Sequence, residues 1–350
     1  MSRVRDIASI LTASSSMATD TEVSAVSAQI PTNVAGKNAV INGNFDIWQR
    51  GTSFSNSTGY SVDRFTQTVA ASGSNVTVTR ETTVPNPNSI YSVKYAQVGA
   101  ATSIVEYATR YWPETQDAMR LAGKTVTLSF WYRSNKTGTH GARMSNGLQT
   151  GGADAVLGFN VVAANTWQYI TWTTAVPYGS ITAINTAPNA GIGILDIGFK
   201  VGGSGPGFTS LSDGDYFQLS QVQLEIGSTA TPFSRAGGTI GGELALCHRY
   251  YWRDTSFQSS GGVQSAFDNN VWFSLQNFNA VPMRATPTAA IEGSPFIADF
   301  AANLRTITSV NVNTKYAVGF AYSSTKLTSN LSFGLNFSDA GRALSFSAEL

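Results

Sequence analysis

Four stretches of this chain alternate apolar and polar side chains: Val76 to Arg80, Thr125 to Tyr132, Trp167 to Trp172 and Asp215 to Leu224. A period of two sets one face of a strand against a core and the other in water. Gly, Asn, Pro and Ser interrupt the pattern between these runs at the spacing of a β-sandwich. A second series follows at 271–275, 287–291, 316–320 and 331–337, and the alternating run Ala343 to Leu350 reads as a closing strand. The glycines between Arg235 and Gly242 break the texture and set a boundary there. Ile104 to Leu121 is the one internal helix candidate, and Pro113 limits it to a turn or a short piece after that residue. Leu244 to Arg253 reads as a short aromatic strand segment, and the glycines around Pro206 as a flexible surface loop. The fold class is all-β, with a sandwich over 37–235 and a second small β-domain over 236–350.

The first 36 residues differ. Residues 1–12 form a short amphipathic helix pattern with Val4, Ile7, Ala8 and Leu11 on one face. A helix this short is marginal alone in water, so it needs a surface to pack on. Residues 13–36, rich in Ser, Thr, Ala and Val without an aromatic, read as an extended linker with no core of its own.

Composition narrows the partners. Charged residues are only 12% of the chain and the formal net charge is +1. That balance gives no long-range field for polyanions, so nucleic acid and acidic membranes are not expected, and neutral ligands or protein surfaces fit better. Cys247 is the single cysteine, which excludes an intrachain disulfide and a thiolate metal cluster. No apolar run approaches the ~18 residues of a membrane span. Asp6, Thr12 and the serines at 14–16 break the N-terminal region before a signal-peptide core can form, so synthesis in the cytoplasm of a cell, without export, is expected.

The densest motif is Asn38-Ala39-Val40-Ile41-Asn42-Gly43-Asn44-Phe45-Asp46-Ile47-Trp48-Gln49-Arg50-Gly51, followed by Tyr60-Ser61-Val62-Asp63-Arg64-Phe65. It resembles the opening of a module widespread in tail fibres and other virion proteins of tailed, marine or cyanophage-type bacteriophages. Val222 to Phe233 looks like that module's closing strand, and Gly242 to Tyr251 and Val281 to Thr288 resemble its usual continuation. Met1 to Leu11 is similar to the starts of several marine-phage structural proteins. The resemblance implies a jelly-roll of the carbohydrate-binding kind in a non-enzymatic virion protein. The first expectation is a homotrimeric tail fibre that attaches to a host-surface glycan. Its N-terminal segment would dock through Val4, Ile7, Ile10 and Leu11 onto tail adaptor, portal-proximal or capsid proteins. A capsid-bound fibre or decoration protein is the second expectation.

In jelly-rolls of this kind a carboxylate after the Asn-Gly-x-Phe turn helps hold a structural calcium ion, a role the resemblance gives to Asp46 with Glu225. Calcium needs six to eight oxygens, so two carboxylates would supply only part of a shell. The competing reading makes Asp46 a turn cap and Glu225 a solvated edge charge. No other cofactor is implied. Trp48, Tyr60, Trp112 and Tyr178 are the candidate sugar-stacking residues. Trp131, Trp167 and Trp172 lie inside alternating strands, where a buried Trp is the ordinary outcome.

Catalytic signals are thin. His140 sits in a Gly-Thr-His-Gly loop pattern, and Cys247 and His248, as strand neighbours, would point to opposite faces. Glu106, Asp117, Asp154, Asp213 and Asp215 leave a glycan depolymerase as the alternative from another class, although no spacing nominates a pair.

Overall fold

The computed structural model describes residues 34–55, 59–145, 154–177, 194–254, 258–264, 270–274, 283–292, 296–299, 304–314, 317–322, 333–336 and 343–348. Val4, Ile7, Ile10, Leu11 and Tyr178 lie outside the described residues.

Two antiparallel sheets form a jelly-roll sandwich. The first joins β1 (Ser53–Ser55), β4 (Val76–Glu81), β5 (Ser92–Gln97), β7 (Thr125–Ser134), β10 (Gln168–Ala175) and β13 (Tyr216–Ile226) in the order β1-β4-β5-β13-β7-β10. The second joins β2 (Gly59–Tyr60), β3 (Phe65–Ser72), β6 (Ala101–Tyr111), β8 (Gly138–Ser145), β9 (Ala155–Val161) and β11 (Ile194–Lys200) in the order β2-β3-β6-β11-β8-β9, with β12 (Ser210–Leu211) beside β6. The chain crosses between the two sheets repeatedly, as from β5 to β6, β6 to β7 and β7 to β8, so the chain order itself holds the two layers together.

Each of the four alternating runs is a strand of the first sheet. Their dry faces meet the second sheet in an aromatic layer: Phe217 stacks on Tyr95 at 4.9 Å, Phe199 meets Phe217 edge-on at 5.2 Å, and Tyr132 meets Phe159 at 4.9 Å. Two hydroxyls in this layer are satisfied across the sheets, Tyr95 with Thr109 at 2.7 Å and Tyr132 with His140 at 2.8 Å. Buried polar groups of this kind cost stability unless paired.

Two expectations change. Ala101 to Tyr111 is strand β6, and the helix expected in this region is confined to α1 (Thr115–Leu121), beyond Pro113. Ile104, Ala108 and Tyr111 are buried at helix-like spacing in a strand whose register shifts between Thr102 and Glu106 against β3 and between Tyr107 and Ala108 against β11. Residues 240–248 form a helix, α2 (Ile240–His248), and not a strand. Thr239 caps it by accepting from the Gly242 amide at 3.1 Å. Cys247 is buried, and its neighbour His248 is a helix neighbour, so the alternating-face argument against a thiol–imidazole pair does not apply.

The glycine run at 235–242 is packed rather than open. Gly36 donates to the Ala236 carbonyl at 2.8 Å, and a Cβ on Gly242 would come 2.2 Å from the Gly237 carbonyl oxygen. After α2 come β14 (Tyr251–Asp254), β17 (Thr288–Glu292) and β22 (Ala343–Ser347), which pair in the order β14-β22-β17. The expected closing strand is therefore the central one. β15 (Gln258–Gln264), β16 (Asn270–Ser274), β18 (Phe296–Asp299), β19 (Leu304–Thr314), β20 (Ala317–Tyr322) and β21 (Phe333–Asn336) close a barrel in the order β15-β16-β20-β19-β18-β21. No described helix is long and apolar enough to cross a membrane.

Adjacent helix glycines test this packing. Gly241 has open space around an added Cβ, so Gly241→Ala should raise stability by up to about 1 kcal/mol through helix propensity. Gly242→Ala should lower it by about 2 kcal/mol or more through overpacking. Thermal melts of the two variants check the contrast.

Candidate functional site

The motif that carries the family resemblance folds into a buried polar knot. Its first half runs as a strap along β13: Ala39 donates to the Leu224 carbonyl at 2.9 Å and Val222 to the Gly43 carbonyl at 2.8 Å. Asn38 clamps both sides, accepting from the Val40 and Leu224 amides and donating to the Val222 and Ser234 carbonyls. Gly43 is required here because a Cβ would lie 2.0 Å from the Val222 oxygen. Asn42, at φ +61, donates its side-chain amide to the Ile47 and Asp63 carbonyls. Its backbone amide donates to Glu243 of α2, which also accepts from Gly237 at 2.6 Å. Burial raises the Glu243 carboxyl above its ordinary range despite these donors and nearby Arg235.

The second half of the motif ties the sandwich to the C-terminal region. Asp63 accepts from the Gln49 amide at 2.7 Å and from its side chain at 2.6 Å, and Gln49 in turn donates to the Tyr251 carbonyl. Arg64 is fully buried, its guanidinium 3.4 Å from the Tyr250 ring centroid and 2.5 Å from the Trp112 carbonyl. Tyr250 donates to Glu114 at 2.7 Å, and Arg249 grips the same carboxylate at 2.8 and 3.1 Å. Desolvation would raise the Glu114 pKa, but the Arg249 and Tyr250 hydrogen bonds outweigh it and hold it low.

The expected site residues fall mostly inside this knot. Asp46 is ion-paired to Arg235 at 2.8 Å, and Glu225 accepts from the Thr231 amide and hydroxyl and from Gln223, with Lys37 at 3.9 Å. The two carboxylates of the expected calcium site thus have separate protein donors, and the described residues hold no cluster of three or more potential metal ligands. Trp48 donates its indole N–H inward to the Phe45 carbonyl at 2.6 Å. Tyr60 is half-buried beside Arg50, and the Trp112 indole N–H is buried. All three are half-buried.

The open aromatic surface lies elsewhere, on the outer face of the first sheet. Phe130 and Tyr132 point into the core, so Trp131 between them points out, and Tyr169 of β10 is its cross-strand partner. Their rings lie 5.2 Å apart, and Tyr169 is 44% exposed. Trp131 thus departs from the buried outcome expected for a strand Trp, whereas Trp172 packs against the core. Beside this pair runs a polar row of cross-strand partners: Thr79, Lys94, Gln218 and Arg133. Arg133 donates to the Gln218 side chain and, at 2.9 Å, to the Asn165 carbonyl. The Asn165 side chain accepts from the Tyr216 hydroxyl, and Lys94 sits 4.5 Å from the Tyr216 ring centroid. An outward aromatic pair, its rings tilted 44° to one another and bordered by the Arg133 guanidinium and the exposed Asn165 amide, can stack a ring on the apolar face of a sugar while the polar groups bond its hydroxyls.

The opposite outer face is closed by ions. Buried Asp196 accepts from Arg110 at 2.7 Å and from Arg143; Glu106 joins both arginines at 2.9 and 2.5 Å, and Asp154 joins Arg143 at 3.4 Å. Two of the carboxylates weighed for catalysis, Glu106 and Asp154, therefore converge, but on guanidinium groups that clamp β6, β8 and β11. Asp213 accepts from the Gly99 amide, and Asp215 is paired with Lys136 at 2.8 Å.

Neither a family model nor a curated protein matches the sequence. Among solved structures, the chain is similar to the enzymatically active domain of bacteriophage CBA120 tailspike protein 4 at 18% identity and TM-score 0.31, covering 54% of this chain and 21% of that one. It is similar to the module TmCBM61, solved with β-1,4-galactotriose, at 10% identity and TM-score 0.32, covering 54% and 99%. A putative sugar binding protein from Bacteroides thetaiotaomicron VPI-5482 is similar at 14% identity and TM-score 0.35, covering 54% and 100%. No function is carried across on overlaps this distant.

His140 yields a pH test. The sequence pattern reads as a loop, but His140 lies buried in β8, where its Nε2–H donates to the Lys136 carbonyl at 2.9 Å and its Nδ1 accepts from Tyr132. Burial pushes its pKa from 6.5 down to about 4. Between those values only the unfolded chain takes up the proton, so stability is full above about 6.5 and falls as pH drops towards 4. The loss should reach up to about 3 kcal/mol. His140→Gln should flatten this limb, read as the difference between wild-type and variant denaturation midpoints across pH 4 to 7.

Proposed function

We propose that the chain is a non-enzymatic attachment component of a tailed-phage virion, first of all a tail fibre, whose jelly-roll holds a host-surface glycan on the outer face of its first sheet. The observation that carries the glycan part is the outward Trp131–Tyr169 pair, which lies beside Arg133, two residues along β7 from Trp131. Aromatic rings that border fixed amide and guanidinium groups are the ordinary means of gripping a sugar, whose faces are apolar and whose rim is hydroxylated. The virion part is supported by the motif from Asn38 to Phe65 and its continuation, and docking through Val4, Ile7, Ile10 and Leu11 and homotrimer formation belong to the same proposal.

Glycan binding by the full chain should weaken about tenfold, roughly 1.4 kcal/mol, in Tyr169→Ala and in Trp131→Ala, with melting temperatures close to wild type. Unchanged affinity in both variants would remove this face from the reading. Deleting residues 1–33 should leave a folded protein that no longer enters particles, measured by incorporation into virions after complementation of a deletion phage.

A further inference from the structure

On the outer face of the first sheet, Lys94 and Arg133 form no ion pair among the described residues. Arg110, Arg143, Arg235, Arg249 and Lys136 each sit against a carboxylate. Lys94 and Arg133 differ: among the described residues no carboxylate oxygen lies within 4.0 Å of either, and their partners are the Tyr216 ring, the Gln218 side chain and the Asn165 carbonyl. Glu81 of β4 lies on the same face, where its carboxylate accepts from the Thr79 hydroxyl at 2.7 Å and forms no ion pair with either cation. Lys94 and Arg133 both register with Gln218, one from each side, so their backbones are separated by two strand spacings, roughly 10 Å. That span matches one to two sugar rings, and Trp131 and Tyr169 lie in the next register positions.

Arg133 is held in place by two neutral acceptors, so binding an anion would not require it to break an ion pair. A guanidinium fixed in this way, with donors left over, is suited to a planar oxyanion, and the Lys94 ammonium supplies a second point charge. We infer that the ligand of this face is an anionic glycan, a sugar bearing a carboxylate or sulfate that lies between Lys94 and Arg133 while its ring stacks on Trp131 and Tyr169. This inference rests on the glycan reading of the same face. The overall charge of +1 leaves room for this local arrangement, in which Lys94 and Arg133 flank Gln218 without an ion pair among the described residues.

The test is a glycan array of matched neutral, carboxylated and sulfated oligosaccharides probed with the full-length protein, followed by calorimetry on the best binder at two salt concentrations. Expected is selective binding of acidic members, weakened at least tenfold in Lys94→Gln and in Arg133→Gln and weakened by salt. Lys124→Gln, the same charge change at an exposed residue before β7, should leave binding unchanged. The carboxylated and sulfated arms separate the two sources of charge. Binding of neutral glycans that is lost in Tyr169→Ala but indifferent to Lys94→Gln would overturn the anionic inference and leave the glycan reading standing. Equal losses in Lys124→Gln would also overturn it, as general charge attraction. An array with no binder at all would overturn both.

Discussion

A guanidinium with no exposure to water holds this molecule together. Arg64 is taken out of solvent completely, and desolvating a cation costs several kcal/mol unless its surroundings replace the lost water. The replacement comes from parts of the chain far apart in sequence: the Trp112 carbonyl, the Tyr111 ring at 5.5 Å and the Tyr250 ring at 3.4 Å. Tyr250 is fixed in turn by Glu114, and Glu114 by Arg249. The sandwich, α1 and the segment after α2 therefore form one polar network in which each member satisfies another. Removing one partner would strand a buried charge, which is why motif residues so rich in polar groups can lie at the centre of the fold.

The same reasoning explains the strap. Asn38, Asn42 and Asn44 are each at most 1% exposed, and each uses its side-chain amide as both donor and acceptor to backbone or side-chain partners. An apolar residue could fill those positions but could not satisfy the Leu224 amide and the Val222 carbonyl at once. Glu243 joins this system from α2 and bears a carboxyl whose protonation burial favours, so the joint between strap and helix contains a strained charge offset by two backbone amides.

Much of the strand content was legible in the sequence: β4, β7, β10, β13 and β22 as alternating runs, even though Gln221 at φ +53 shifts the parity of β13, and β16, β17, β20 and β21 as short β-type runs. β6 was not, because its pairing shifts register twice, between Thr102 and Glu106 against β3 and between Tyr107 and Ala108 against β11, which interrupts the alternation of its buried positions. α2 was obscured by two glycines, which weaken a helix but permit its close approach to Gly237. The motif was visible, but its role was not: Asp46, Glu225 and Trp48 are chemically suited to ligands, and only the three-dimensional partners show them engaged within the fold. Trp131 failed in the other direction. β7 carries aromatics on both faces, and no pattern within one strand says which face the second sheet covers.

The chain comes into the sandwich and leaves it at one corner, where Gly36 is hydrogen-bonded to Ala236. A pull applied between the leading segment and the C-terminal β-units is therefore carried across that short link, through the strap and α2, and not along the strands. The jelly-roll hangs beside the line of tension as a side-loop. Its sheets can keep their shape, and anything held on their outer surface can stay held, while the joint at the corner bears the mechanical load.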